Sequence, residues 1–138
     1  MQSFDTAISK LRSEGFKLTP QRLSVIRYLI GNTSHPTAAV IYGDLKKKYP
    51  SLSFSTVYNT LNMLEKIGEI RSLNLFDEFL NYDPDTGTHF HLVCRECNAI
   101  VDIFPHDVGR FELPLGEVAG HRIDAAQVVF RGICKDCR

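Results

Sequence analysis

The chain has 138 residues, of which 43% are hydrophobic and 23% charged, and equal counts of Lys+Arg and Asp+Glu give a formal net charge of zero. This composition is ordinary for a globular protein of one domain or two small ones. No run of about 18 apolar residues is present, and the charged N-terminus lacks the apolar segment of a secretory signal, so we expect no membrane span and a cytoplasmic location.

Apolar spacing predicts four helices in the first half of the chain. They run over residues 3–14, from Pro20 to Ile30, from the segment 35–37 to about Lys48, and from a cap at Ser53 or Ser55 to about Ile67. Two short strands follow, near residues 70–75 and 79–82, and are joined around residues 77–78. Helices followed by a small hairpin are typical of a winged helix-turn-helix domain, which we place at residues 1–82.

A polar, turn-rich segment at residues 83–88 is the predicted hinge before a second domain at residues 89–138. The second domain is predicted to contain strands at 89–93, 100–104 and 122–131, and a helical stretch near 108–118 that Pro114 and Gly116 shorten or break. The predicted fold class is therefore α+β, with an N-terminal winged helix-turn-helix domain and a small C-terminal α/β domain.

All four cysteines fall in two Cys-x-x-Cys pairs, Cys94/Cys97 and Cys134/Cys137. Each pair lets two sulfurs converge on one ion, and four thiolates with no open position are typical of a structural Zn²⁺ site. Such a site would stabilise a domain that is too small for a large apolar core. A redox pair or unliganded thiols are the alternatives, but zinc is favoured because no cysteine is left without a pair.

Imidazole and carboxylate groups suggest a second metal site. His89 and His91 are two apart on a predicted strand, so both side chains project from one face. Asp102 lies on the next strand, Asp83 in the hinge and His35 at the start of the third helix. Together these groups would suit Fe²⁺, Mn²⁺, Co²⁺ or Zn²⁺. Spacing alone supports only the two histidines of the strand, since isolated residues of the other kinds are usually on the surface.

The fourth predicted helix has a polar face that suits contacts with phosphates and base edges in a DNA major groove. Its members are Ser55, Thr56, Asn59, Thr60 and Asn62, with Tyr58 beside them. Lys17, Arg22 and the lysines at 46–48 would supply positive charge for the DNA backbone. A solvated polar helix face is the alternative interpretation.

The zero net charge conceals an asymmetry between the two halves of the chain. Residues 1–76 contain 10 Lys+Arg and 5 Asp+Glu, a net charge of +5, whereas residues 77–138 contain 6 and 11, a net charge of −5. This division favours a polyanion as partner of the first half and cations as ligands of the second.

Five segments occur in an order that is characteristic of one family. They are LTPQR at 18–22, HPTA at 35–38, STVYNTL at 55–61, HFHLVCREC at 89–97 and GICKDC at 132–137. The chain resembles the ferric uptake regulator (Fur) family of bacterial repressors over nearly its whole length. The resemblance implies a repressor, not an enzyme, that binds a double-stranded DNA operator as a homodimer, through the winged-helix domain and an α/β dimerisation domain.

The resemblance also implies roles for individual residues. The four cysteines match the structural zinc ligands, and a second set matches the regulatory site for Fe²⁺ or Mn²⁺, with Zn²⁺ as a further option. That second set is His35, Asp83, His89, His91 and Asp102. Tyr58 and Asn59 lie where the family contacts bases, and Lys17 lies where a basic residue reaches the minor groove.

Within the family, the chain resembles the peroxide-sensing branch (PerR), because Asp83 and Asp102 stand where iron-sensing members usually have Glu. In that branch bound Fe²⁺ reacts with hydrogen peroxide, and ligand histidines at the positions of His35 and His89 are oxidised, which releases DNA. A metal ion and peroxide are then the only small molecules expected. The alternatives are an iron or zinc sensor without peroxide chemistry, and a hydrolytic metalloenzyme, for which the sequence offers no separate nucleophile or phosphate-binding loop.

Overall fold

A computed structural model describes residues 3–113 and 115–138, which form two compact units, and the chain passes from one to the other between Thr86 and Gly87. The boundary lies inside the segment 83–88 that was predicted as the hinge. The regular elements of the first unit are chiefly helices and those of the second chiefly short strands, so the predicted α+β class is confirmed. No helix in the described ranges is long and apolar enough to cross a membrane.

Four α-helices lie in the first unit, and each follows a hydroxyl-bearing residue. They are α1 (Phe4–Ser13), α2 (Pro20–Leu29), α3 (Ala38–Lys46) and α4 (Phe54–Lys66). The side chains of Ser3, Thr19, Thr37 and Ser53 each accept a hydrogen bond from the backbone N–H three residues later. Each cap thus satisfies one of the N–H groups that a helix start leaves unpaired. Ser53, rather than Ser55, is the cap of α4.

The inner faces of the four helices pack into one apolar core, in which Leu11, Ile26, Ile41 and Leu61 are fully buried. Thr60 lies on this inner face too, so its prediction as part of the exposed polar face is wrong. Its hydroxyl donates a 2.7 Å hydrogen bond to the carbonyl oxygen of Thr56, one turn earlier, which satisfies the hydroxyl inside the core.

The predicted hairpin after α4 is confirmed as the antiparallel pair β1 (Arg71–Leu73) and β2 (Asn81–Asp83). Its second strand lies later than predicted, so Phe79 is exposed in the connection, and Asp83, predicted in the hinge, ends β2. The register follows from the loop before α3, because the N–H of Tyr82 donates a 2.9 Å hydrogen bond to the carbonyl oxygen of Pro36.

A three-stranded sheet organises the second unit, and its strand order is β4-β3-β7. The central strand β3 (Phe90–Cys94) pairs antiparallel with β4 (Ile100–Ile103) and parallel with β7 (Val129–Gly132). The strands predicted at 89–93 and 100–104 are thus confirmed. The single strand predicted at 122–131 is wrong, because β7 and a separate strand, β6 (His121–Ile123), occupy this range, and β6 pairs with β5 (Gly116–Val118).

The helical stretch predicted near residues 108–118 is also wrong for the described part of that range. A single 3-10 turn, Pro105–Asp107, precedes it, and β5 occupies its end. Gly109 and Gly116 have φ angles of 71° and 101°, which a right-handed helix does not allow. Pro114 lies outside the described residues. A short helix needs packing against other elements, and Leu115 is 55% exposed.

Candidate metal centres and nucleic-acid interface

The two cysteine pairs come together at one end of the three-stranded sheet. Cys94 is the last residue of β3, and Cys134 follows the parallel neighbour β7. All four Sγ atoms lie within 4.8 Å of one another, and those of Cys97 and Cys134 are 3.8 Å apart. Tetrahedral Zn–S bonds of about 2.3 Å place sulfurs about 3.8 Å apart, whereas a disulfide needs about 2.05 Å. The cluster therefore fits a zinc ion, and all four thiols are free.

The electrostatics of the cluster also fit a bound cation. The backbone N–H of Cys134 donates to Cys94 Sγ at 3.3 Å and lowers the pKa of that thiol to about 6. Hydrogen bonding with the side chain of Cys134 raises the pKa of the exposed Cys137 thiol to about 12. A divalent ion would stabilise all four thiolates together.

Three of the predicted regulatory ligands lie side by side in the second unit. Asp102 lies on β4, the strand next to β3, as predicted, and it is the direct partner of His91. His89 immediately precedes β3, and its ring centroid lies 4.6 Å from that of His91. Asp102 Oδ1 is 3.5 Å from His89 Nε2 and 3.4 Å from His91 Nε2. Two buried imidazole nitrogens thus converge on one carboxylate oxygen.

The orientation of His89 is typical of a metal ligand. Its Nδ1 lies 2.9 Å from the carbonyl oxygen of Gly87. Because a carbonyl can only accept, Nδ1 donates in this contact, and Nε2 is the ring nitrogen that a metal ion would bind beside Asp102. The separations of 3.4–3.5 Å from Asp102 Oδ1 exceed the ordinary length of a charge-assisted hydrogen bond. They match the spacing of about 3.4 Å between two ligands at tetrahedral bond lengths.

The first unit contains the remaining predicted pair. His35 Nε2 lies 3.5 Å from Asp83 Oδ2, and both side chains are almost fully buried. The other carboxylate oxygen, Asp83 Oδ1, accepts a 2.9 Å hydrogen bond from the N–H of Asp85. This turn fixes the carboxylate and leaves Oδ2 directed at the imidazole.

The backbone of His35 is in an unusual conformation. Its φ angle of 52° lies in the left-handed region, which residues other than glycine rarely adopt, and a proline follows it. Such a conformation costs about 1–3 kcal/mol and persists only where surrounding contacts hold it. Asn81 Nδ2 supplies one such contact, a 2.8 Å hydrogen bond to the carbonyl oxygen of His35. Asn81 was not among the residues predicted from the sequence, although a polar residue on a strand between apolar neighbours was a signal.

The predicted DNA-contacting residues all lie in the first unit. Ser55, Tyr58 and Asn59 are exposed near the N-terminus of α4, and Thr56 is half-buried. Lys17 is exposed, and Arg22 donates a hydrogen bond to its carbonyl oxygen. This arrangement suits a helix that enters a DNA major groove, with basic residues that can contact the phosphate backbone of the DNA.

A winged-helix unit presents an exposed polar helix to DNA, and clustered thiols, imidazoles and carboxylates bind metal ions, so the chain combines the two parts of a metal-responsive DNA-binding regulator. The model of the Ferric uptake regulator family matches residues 13–131, and the chain belongs to this family. Its members are dimeric DNA-binding regulators. The chain is accordingly a metal-dependent transcriptional repressor and not an enzyme, as the sequence motifs predicted.

Relatives carry more specific names. The chain is 34% identical over 134 residues to the peroxide-responsive repressor PerR of Staphylococcus epidermidis, covering 97% of this chain and 89% of the relative. It is 30% identical to the peroxide stress regulator of Campylobacter jejuni, with a TM-score of 0.68 over 94% of this chain and 98% of the other. The ferric uptake regulator of Francisella tularensis with iron is 26% identical, with a TM-score of 0.72 over 89% and 95% of the two chains.

Proposed function

We propose that the chain is a peroxide-responsive repressor whose regulatory metal is held jointly by His35, Asp83, His89, His91 and Asp102. The observation that carries the proposal is the spacing of 3.4–3.5 Å between imidazole nitrogens and carboxylate oxygens in each unit. Nitrogen and oxygen donors without sulfur suit Fe²⁺ or Mn²⁺, and they also accept Zn²⁺. One ion bound by both groups would fix the angle between the two units.

The cysteine cluster has a different proposed role. Cys94, Cys97, Cys134 and Cys137 hold a structural Zn²⁺, because four sulfurs complete a tetrahedral shell and leave no position open for a signal molecule. The ion would join the end of β3 to the segment after β7, and so stabilise the second unit rather than sense a signal.

The second unit is also the proposed dimerisation surface. Large apolar side chains are exposed on it, namely Val101, Phe104, Phe111, Leu115 and Val118. Exposed apolar groups in this number favour an interface between protein chains. A homodimer joined there would present two copies of α4 to the DNA.

In the proposed mechanism, the angle between the two units controls DNA binding. Ser55, Thr56, Tyr58 and Asn59 would face base edges and nearby phosphates, while Lys17 and Arg22 would contact the backbone. In a dimer, two such helices must be about 34 Å apart to enter successive major grooves of an operator. The regulatory ion stabilises that spacing, and DNA in turn raises the affinity for the ion. A regulator of this kind acts beside the chromosome, in the cytoplasm.

The peroxide response is supported by the names of two relatives and by aspartate, rather than glutamate, at positions 83 and 102. Ferrous iron, when bound, would activate hydrogen peroxide beside its histidine ligands. His35 or His89 would then gain one oxygen atom on its imidazole ring, and the peroxide would leave as one water molecule. The modified ring binds metal poorly, so the ion dissociates and DNA is released. An iron- or zinc-responsive regulator without this chemistry is the second candidate, favoured by the relative whose structure contains iron.

Mass spectrometry of the iron-loaded protein after treatment with peroxide separates these candidates. We expect one added oxygen on His35 or His89 and a parallel loss of DNA binding, because both imidazoles would be ligands. His106 serves as an internal control, since its side chain is 80% exposed to peroxide in solution but is not a proposed ligand, and it should remain unmodified. The manganese-loaded protein should resist oxidation. Peroxide-treated iron protein with both ligand histidines intact would exclude the peroxide response and leave the plain metal sensor.

A further inference from the structure

Asn81 joins the loop that carries His35 to the strand that carries Asp83. Its Nδ2 donates a 2.8 Å hydrogen bond to the carbonyl oxygen of His35, and its backbone forms an antiparallel bridge with Thr37. Asn81 and Asp83 are two residues apart on β2, so their side chains lie on the same face of the strand. One strand therefore supplies a carboxylate beside the imidazole of His35 and an amide that holds its backbone.

We propose that Asn81 is a positioning residue of the regulatory metal site, whose amide keeps His35 in the left-handed conformation with Nε2 facing Asp83. The proposal rests on the proposed function, since it requires His35 and Asp83 to be metal ligands. His35 needs such a contact because its φ angle of 52° is unfavourable for a residue with a side chain. If the loop relaxes, Nε2 moves away from Asp83, and the ion must then reorder the loop in order to bind.

The carbonyl oxygen of the Asn81 amide makes it possible to distinguish a positioning role from a general contribution to stability. Asn81 is 7% exposed, and its Oδ1 is buried with no hydrogen-bond partner within residues 3–113 and 115–138. A buried oxygen without a partner destabilises a fold. Replacement by leucine, which has a similar size, removes this unfavourable group together with the favourable hydrogen bond. These two changes have opposite effects on the free energy of unfolding, so they largely cancel. The hydrogen bond that positions His35 is nevertheless lost.

The test compares Mn²⁺ affinity, thermal midpoint and amide hydrogen exchange in the zinc-containing, 138-residue chain. Asn81→Leu should bind Mn²⁺ about 10–100-fold more weakly, as is typical when the outer-shell partner of a metal ligand is lost. In the metal-free protein the Tyr82 amide, which bonds to Pro36, should exchange faster, while the thermal midpoint stays near that of the wild type. Tyr28→Phe is the matched control, because it removes the 2.6 Å hydrogen bond to Asp44 and should lower stability without weakening Mn²⁺ binding.

A second variant excludes a purely electrostatic effect. Asn81→Asp keeps the size of the side chain, but a carboxylate cannot donate to the His35 carbonyl. A negative charge acting only through its attraction for the cation would tighten Mn²⁺ binding, and that result would overturn the proposal. Positioning instead predicts weaker binding in this variant as well.

The wild type and His35→Ala distinguish failure of this inference from failure of the proposed function. If His35→Ala loses Mn²⁺ but Asn81→Leu binds it within twofold of the wild type, Asn81 is not a positioning residue and the proposed site stands. If His35→Ala binds Mn²⁺ as the wild type does, the proposed site is wrong, and the role of Asn81 is wrong with it.

Discussion

Replacement of His91 by alanine is expected to abolish metal-dependent DNA binding while the protein remains folded. His91 is 4% exposed, and its Nε2 lies 3.4 Å from Asp102 Oδ1, so the substitution removes a donor from the centre of the second unit's ligand group. Loss of a direct ligand should exceed the 10–100-fold effect of an outer-shell partner, so we expect Mn²⁺ affinity to fall by more than about 100-fold.

The measurement is fluorescence anisotropy of a labelled duplex, enriched from a random pool by the wild-type protein in Mn²⁺, as Mn²⁺ is titrated into each variant. His106→Ala is the matched control, since it removes an exposed imidazole from the same unit and should bind DNA normally. Zinc content and circular dichroism should be the same in both variants. Metal-responsive DNA binding at wild-type strength in His91→Ala would refute the five-ligand site.

The second large effect is expected from Cys94→Ser, which should release zinc, unfold the second unit and abolish the dimer. The main apolar core belongs to the first unit, and the second unit buries few large apolar side chains among its described residues, chiefly Phe90 and Val93. Structural zinc contributes about 10–16 kcal/mol to the folding of small zinc domains. The net stability of a whole domain is only about 5–15 kcal/mol, so loss of the zinc ion should be enough to unfold the second unit.

Zinc analysis, far-ultraviolet circular dichroism and sedimentation velocity would report the three expected losses in this variant. Asp136→Ala is the control, because Asp136 is exposed between Cys134 and Cys137 and contributes no sulfur. That variant should retain zinc and remain dimeric. A stable dimer of Cys94→Ser without zinc would contradict the structural role of the cysteine cluster.

The helices and the cysteine cluster were predictable because local chemistry determines them. Thr19 followed by Pro20 marks a helix start, and the cap and the first-turn proline are both present in α2. Paired cysteines indicate a shared ion before any fold is known. The position of Asp102 on the strand next to that of His91 was also predictable, since consecutive strands usually form a hairpin.

Other features depend on contacts that are distant in sequence. The register of β2 follows from the bond between Tyr82 and Pro36, which no local pattern encodes. The same holds for the approach of His35 to Asp83, which spacing could not indicate and the family resemblance implied. The segment 108–118 had the composition of an interrupted helix, but Gly109 and Gly116 adopt positive φ angles instead.

The most direct test of the central claim is anomalous scattering at the manganese edge, from crystals of the zinc-containing protein grown with Mn²⁺. We predict one manganese peak per chain, with His35 and Asp83 of the first unit and His89, His91 and Asp102 of the second as its ligands. A manganese ion held by residues of one unit alone, with His35 turned away from it, would contradict the claim that the metal fixes the angle between the units.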